Sequence, residues 1–172
     1  MRRVATPAEL AGLVGQELGC SAWQLVDQRR VDAFAEVTGD RQWIHTRPDL
    51  AAAGPYGTTL AHGFLALSLT SAMIFEVLAV DGVELILNKG VGRLRFSNPV
   101  RVGDRVRGRV VLTAAQSRPR GWWEAVFTVH VEVADAEPAL RAELTFLYQP
   151  VTNTVDATIA VGATKGASAA TI

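Results

Sequence analysis

Cysteine is almost absent from this chain: its 172 residues contain one, Cys20. A lone thiol cannot close an intramolecular disulfide or assemble a four-thiolate zinc site, so a disulfide-stapled secreted scaffold and a thiolate metal module are both excluded. Excess charge of either sign is missing too, because 17 basic residues balance 17 acidic ones. Formal neutrality removes the sequence-independent phosphate attraction that underlies nucleic-acid binding, and nucleic acid is not an expected partner. No apolar run is long enough to span a bilayer. The longest, Phe64 to Val80, falls short of roughly 20 residues, carries Ser68, Thr70, Ser71 and Glu76, and lacks flanking basic anchors. Met1-Arg2-Arg3 resembles the start of an export signal, but the segment to Gly15 contains Glu9 and no continuous apolar stretch. The expectation is a cytoplasmic protein with no membrane partner.

What is abundant is apolar side chain, 49% of the total, enough to bury one core in a single domain over residues 1–150. Thr6-Pro7-Ala8-Glu9 has capping-box spacing and starts a short helix carrying Leu10, Leu13 and Val14. Ser21 to Val26 reads as a short strand. Asp27 is placed to cap a helix on which Val31, Phe34, Ala35 and Thr38 share one face, with Gly39 as its left-handed terminus. From Asp40 to Ala61 the text is irregular, with a brief helical hint at Pro48 to Ala53, and long irregular segments in compact domains are usually functional. His62 to Val80 is apolar on every side, which predicts a helix surrounded by protein.

The second half alternates with period two. Leu85 with Leu87 and Leu94 with Phe96 mark short strands, and three longer ones follow, with Val106 to Leu112, Trp123 to Val133 and Leu140 to Tyr148 each placing an apolar set on one face. The turn-rich connectors between them require mostly antiparallel pairing. A buried helix beside an antiparallel sheet means that the sheet wraps the helix, an α+β architecture. Beyond Pro150 the composition shifts to Ala, Gly, Thr and Ser, which predicts a flexible tail over 151–172.

Two features carry chemistry. Asp40 and His45 are five residues apart just beyond Gly39, where the chain is free to turn, and a carboxylate beside an imidazole can hold a water and divide proton acceptance and donation between them. In isolation the same Asp is also an ordinary turn former. Ala61-His62-Gly63-Phe64 opens the apolar helix, and the unsatisfied N–H of Gly63 could face a developing oxyanion; alternatively His62 caps the helix and Gly63 permits tight packing.

Phe34-Ala-Glu-Val-Thr-Gly-Asp40-Arg-Gln-Trp-Ile-His45, followed by Ala51-Ala-Ala-Gly-Pro-Tyr-Gly-Thr-Thr-Leu-Ala-His62-Gly63-Phe64, resembles the MaoC-like (R)-specific enoyl-CoA hydratases and their NodN-like branch. Phe96-Ser-Asn-Pro99-Val100-Arg-Val-Gly103-Asp104 resembles the family's strand-turn-strand, so the likeness covers about residues 10 to 149. It implies a hotdog fold, an antiparallel sheet around a long central helix, in a homodimer acting on acyl-CoA thioesters without a metal or redox cofactor. It also implies catalytic roles for Asp40, His45, the backbone of Gly63 and a helix serine falling on Ser71, with Ser68 on nearly the same face. Gln42 and Trp43 stand where many members carry Asn and Pro, so Trp43, with His62 and Phe64, is expected to shape the acyl pocket. Lys89, Arg93, Arg95, Arg101 and Arg105 either meet coenzyme phosphates or solvate a sheet edge. A hotdog thioesterase and a non-catalytic acyl-binding subunit of a heterodimer are the alternative functions.

Overall fold

A computed structural model describes residues 1–151, and the expected tail lies outside them from residue 152 onward. In chain order, β1 (Arg2–Val4) leads into a 3-10 helix over Pro7–Leu13, then β2 (Glu17–Cys20) and the two-residue β3 (Gln24–Leu25). Next come α1 (Gln28–Thr38), α2 (Trp43–Thr46), α3 (Pro48–Ala52), α4 (Gly63–Ser68), α5 (Thr70–Val77) and β4 (Leu78–Val80). Four long strands complete the domain: β5 (Val83–Phe96), β6 (Arg105–Ser117), β7 (Trp123–Val133) and β8 (Leu140–Pro150).

The main sheet runs β2-β6-β7-β8-β5, with β3 also on β6, and its pairings are antiparallel. Alternation explains its inner face. Val106, Val110 and Leu112 on β6, Ala125, Phe127, Val129 and Val131 on β7, and Leu140, Ala142, Phe146 and Tyr148 on β8 are almost fully buried. Each large side chain removed from water contributes about 1.5–3 kcal/mol. The α4–α5 rod lies across this face, with Met73 and Ile74 wholly buried. Gly108 marks a point of close approach: a Cβ there would come within 2.9 Å of the Met73 Cβ.

Several expectations need correction. The strand anticipated over Ser21–Val26 is displaced, because Ser21 to Trp23 form the link between β2 and β3. The two short strands around Leu85 and Phe96 are one long strand, in which register shifts absorb Gly90 and Gly92 rather than ending it. The helix from His62 to Val80 is two segments meeting at Leu69, which keeps right-handed helical angles, and its last three residues instead form β4, paired in parallel with β1. Nor is it buried all round: Phe64 is 65% exposed and Phe75 is also exposed. On the opposite face of β7, Glu124 and Thr128 are buried as well.

Candidate active site

The site is built where α1 stops. The Asp27 carboxylate accepts from the Arg30 N–H and fixes the start of α1; Val31 and Ala35 bury its inner face. Gly39, at φ 78°, donates its N–H to the Ala35 carbonyl and turns the chain out of the helix, a conformation that costs glycine little. On an uninterrupted helix Asp40 and His45 would be rotated by about 140°. The left-handed residue and the fresh turn of α2 remove that separation. The carboxylate of Asp40 and a ring nitrogen of His45 end within 4.8 Å of each other. One water bonded to both at about 2.8 Å would span roughly that gap.

His45 is 8% exposed, and one of its ring nitrogens has a defined partner. Its Nδ1 lies 2.8 Å from the Leu60 carbonyl, which can only accept, so Nδ1 carries the proton and Nε2 the lone pair. Burial lowers its pKa below the usual 6.5, opposed by the Leu60 hydrogen bond and reinforced by the neighbouring His62. The imidazole is therefore a neutral proton acceptor near pH 7. Its backbone is tied as well: Gln28 Nε2 donates to the His45 carbonyl at 2.7 Å, while Gln28 Oε1 accepts from the Thr59 hydroxyl at 2.5 Å. Gln28, Thr59 and the Leu60 carbonyl are parts of the site that sequence reasoning missed, and nothing in their local pattern signals the role.

His62, 3% exposed, stacks on His45 with ring centroids 3.8 Å apart and planes inclined by 24°. Its Nε2 lies 2.8 Å from the Asp40 backbone carbonyl and 4.0 Å from the Asp40 carboxylate. Asp40, His45 and His62 together could offer three ligand atoms to a metal ion. Their pose does not suit one. An ion about 2 Å from each nitrogen must lie in both ring planes close to both rings, whereas near-parallel stacked planes do not meet at that range.

Gly63 begins α4, so its N–H has no intrahelical acceptor. A Cβ on Gly63 would meet the Phe96 ring at 3.1 Å, which gives the glycine a packing reason in addition to any chemical one. Beside it opens a cavity of about 460 Å³, lined by His62, Gly63, Phe64, Phe96, Val100 and Leu140 among others. Trp43 does not line it; its ring packs toward Gly54 beside Pro55 and Tyr56. Ser71 and Ser68 line a different cavity, with Leu67, Asn88 and Val91, and Ser68 bonds back to the Phe64 carbonyl at 2.7 Å. Of the five basic candidates, Lys89 is engaged by Glu124 and Arg93 by Glu143; Arg95, Arg101 and Arg105 are exposed. His130 is half-buried on its strand.

Residues 9–134 match the family model described as MaoC like domain. The chain is 42% identical over 144 residues to 3-hydroxyacyl-thioester dehydratase Z of Mycobacterium tuberculosis, covering 83% of this chain and 95% of that protein. It is 45% identical over 138 residues to Nodulation protein N of Rhizobium leguminosarum bv. viciae, covering 78% and 86%. Among solved structures it resembles the unliganded (R)-hydratase of Pseudomonas aeruginosa, with a TM-score of 0.68 and 26% identity over 85% of this chain and 86% of that one.

Proposed function

The chain belongs to the MaoC-like dehydratase family, and from that premise we propose that it hydrates trans-2-enoyl-CoA reversibly to (R)-3-hydroxyacyl-CoA. The hotdog fold and a hydro-lyase activity in general come with the family; substrate, stereochemistry and residue roles are the proposal. The observation that carries it is the Asp40 carboxylate within 4.8 Å of a ring nitrogen of His45, an imidazole whose Nδ1 is taken up by the Leu60 carbonyl.

In this mechanism a water sits between the Asp40 carboxylate and His45 Nε2. His45 accepts a proton as the water oxygen bonds to C3, the C2–C3 π electrons move onto the thioester carbonyl, and the enolate oxygen meets the Gly63 N–H. The pair then returns the proton to C2 as the carbonyl re-forms. Water is consumed and nothing else is released. Both groups act from one face, so addition is syn. A positioned base contributes typically 10²–10⁴-fold, and one oxyanion donor about 3 kcal/mol. Neither step calls on a metal or redox cofactor.

We assign the assembly as a homodimer through β5. That strand pairs only with β8 among the described residues, which leaves its other edge unpaired, and Leu85, Leu87, Val91 and Phe96 are exposed along it. A long apolar edge of this kind associates unless it is covered. A cytoplasmic setting agrees with the single thiol. The test is incubation with crotonyl-CoA: loss of enoyl absorbance with formation of the R alcohol supports the reading, whereas release of free thiol detected by a disulfide reagent makes the protein a thioesterase.

A further inference from the structure

His62 touches both members of the pair without being either of them. Its Nε2 is within hydrogen-bond distance of a backbone carbonyl, that of Asp40, and a carbonyl cannot donate; Nε2 therefore carries the proton. Its Nδ1 is buried with no partner, so the ring holds its position through that one donated bond and through its faces. One face lies on His45 at 3.8 Å, and Phe34 packs at 5.1 Å. The titratable groups facing it are Asp40 and His45.

We propose that His62 is a positioning residue for the reaction, a single side chain that pins the Asp40 backbone through Nε2–H and sets the plane of the His45 ring by stacking. Asp40 needs such an anchor because its side chain is 57% exposed and follows a left-handed turn, whereas His45 is already held by Leu60 and Gln28. A misplacement of about 1 Å at a reacting group can cost 10²-fold. This role rests on the hydration reading above for its kinetic consequence, though not for its geometry.

Two substitutions separate the contacts. His62→Phe keeps a ring against His45 and removes the donor; His62→Gln keeps a donor at the Nε2 position and removes the ring. The Phe variant is expected to lower kcat for crotonyl-CoA at least tenfold with KM changed less than twofold, and the Gln variant to recover at least threefold of that loss. A merely structural histidine would instead lower the melting temperature in both without a kcat-against-KM split. Wild-type kcat in the Phe variant, or a Gln variant no better than Phe, overturns the proposal. Nitrogen-15 NMR of the wild-type protein needs no variant and no substrate: it should find His62 as the Nε2–H tautomer and His45 as the Nδ1–H tautomer. An Nδ1–H tautomer at His62 overturns the proposal even if both variants fail to fold. Those tautomers with no hydration of any enoyl thioester would overturn the function and leave the geometry standing.

Discussion

The Asp40 carboxylate and the His45 imidazole lie within 4.8 Å of each other although Asp40 is mostly exposed and His45 is buried. That asymmetry divides their tasks. His45 is fixed and kept neutral by burial, while the Asp40 carboxylate is open to solvent.

The His45 pKa lies below 6.5 mainly because burial penalises its charged form. As a base it must be neutral, so the acidic limb of kcat/KM should fall below pH 6.5. The same shift links to folding. Between the folded pKa and 6.5 the unfolded chain binds more protons, so stability is complete above 6.5 and declines as pH falls through that window. Urea melts paired with pH–rate profiles check both; an acidic limb above 6.5 contradicts the assignment.

The β6–β7 hairpin carries a separate acid-sensitive element. Glu124 is buried and bonded by Arg118 at 2.5 Å, by Lys89 and by Gln116 at 3.0 Å, and these partners, Arg118 foremost, hold its carboxyl down to about 2. Its contribution is present above pH 4.5 and is lost as pH falls toward 2. Because Arg118 and Lys89 are themselves partly exposed, Glu124→Gln should cost about 2 kcal/mol at pH 7 and less than half of that at pH 3. Denaturant melts at the two pH values measure the difference, and an equal cost at both would remove the carboxylate from the explanation.

Gly108→Ala should destabilise by about 1–3 kcal/mol, since its methyl would press on the Met73 Cβ and sulfur at 2.9 and 3.0 Å in a side chain with no exposure. For Gly63→Ala the nearest atoms all belong to the Phe96 ring, which is partly exposed and can shift. That substitution should change thermal stability less than Gly108→Ala while raising KM, because the displaced ring moves into the cavity. Comparing melting temperatures and KM of the two variants checks the contrast.

Leu87→Lys places a charge on the exposed edge of β5 and should turn a dimer into monomers by native mass measurement. An unchanged mass would place the interface elsewhere.

Much of this fold was legible in the sequence because period-two alternation and turn residues act locally. The inner faces of β6, β7 and β8, the Asp27 and Gly39 caps and the antiparallel order all follow from such signals. The α4–α5 rod misled because its apolar outer residues, Phe64 and Phe75, read as core although the single chain leaves them exposed. β5 misled because its apolar alternation lapses between Leu87 and Leu94, where the backbone passes through Gly90 and Gly92 with register shifts. Within the site, Asp40, His45 and Gly63 could be singled out from spacing and resemblance. Gln28, Thr59 and the Leu60 carbonyl could not, since they act through hydrogen bonds between segments distant in sequence. His62 was visible as a residue, but its stacking on His45 was not.

The most direct test of the central claim is the rate of crotonyl-CoA hydration by the wild-type protein and by Asp40→Asn, with folding of the variant verified by its melting curve. Asparagine keeps the size of the side chain and removes the carboxylate. Turnover by the variant should therefore be slower by about a hundredfold or more, the range a positioned acid–base group supplies. Retention of wild-type activity by folded Asp40→Asn would contradict the assignment of Asp40 and His45 as the pair that holds the water.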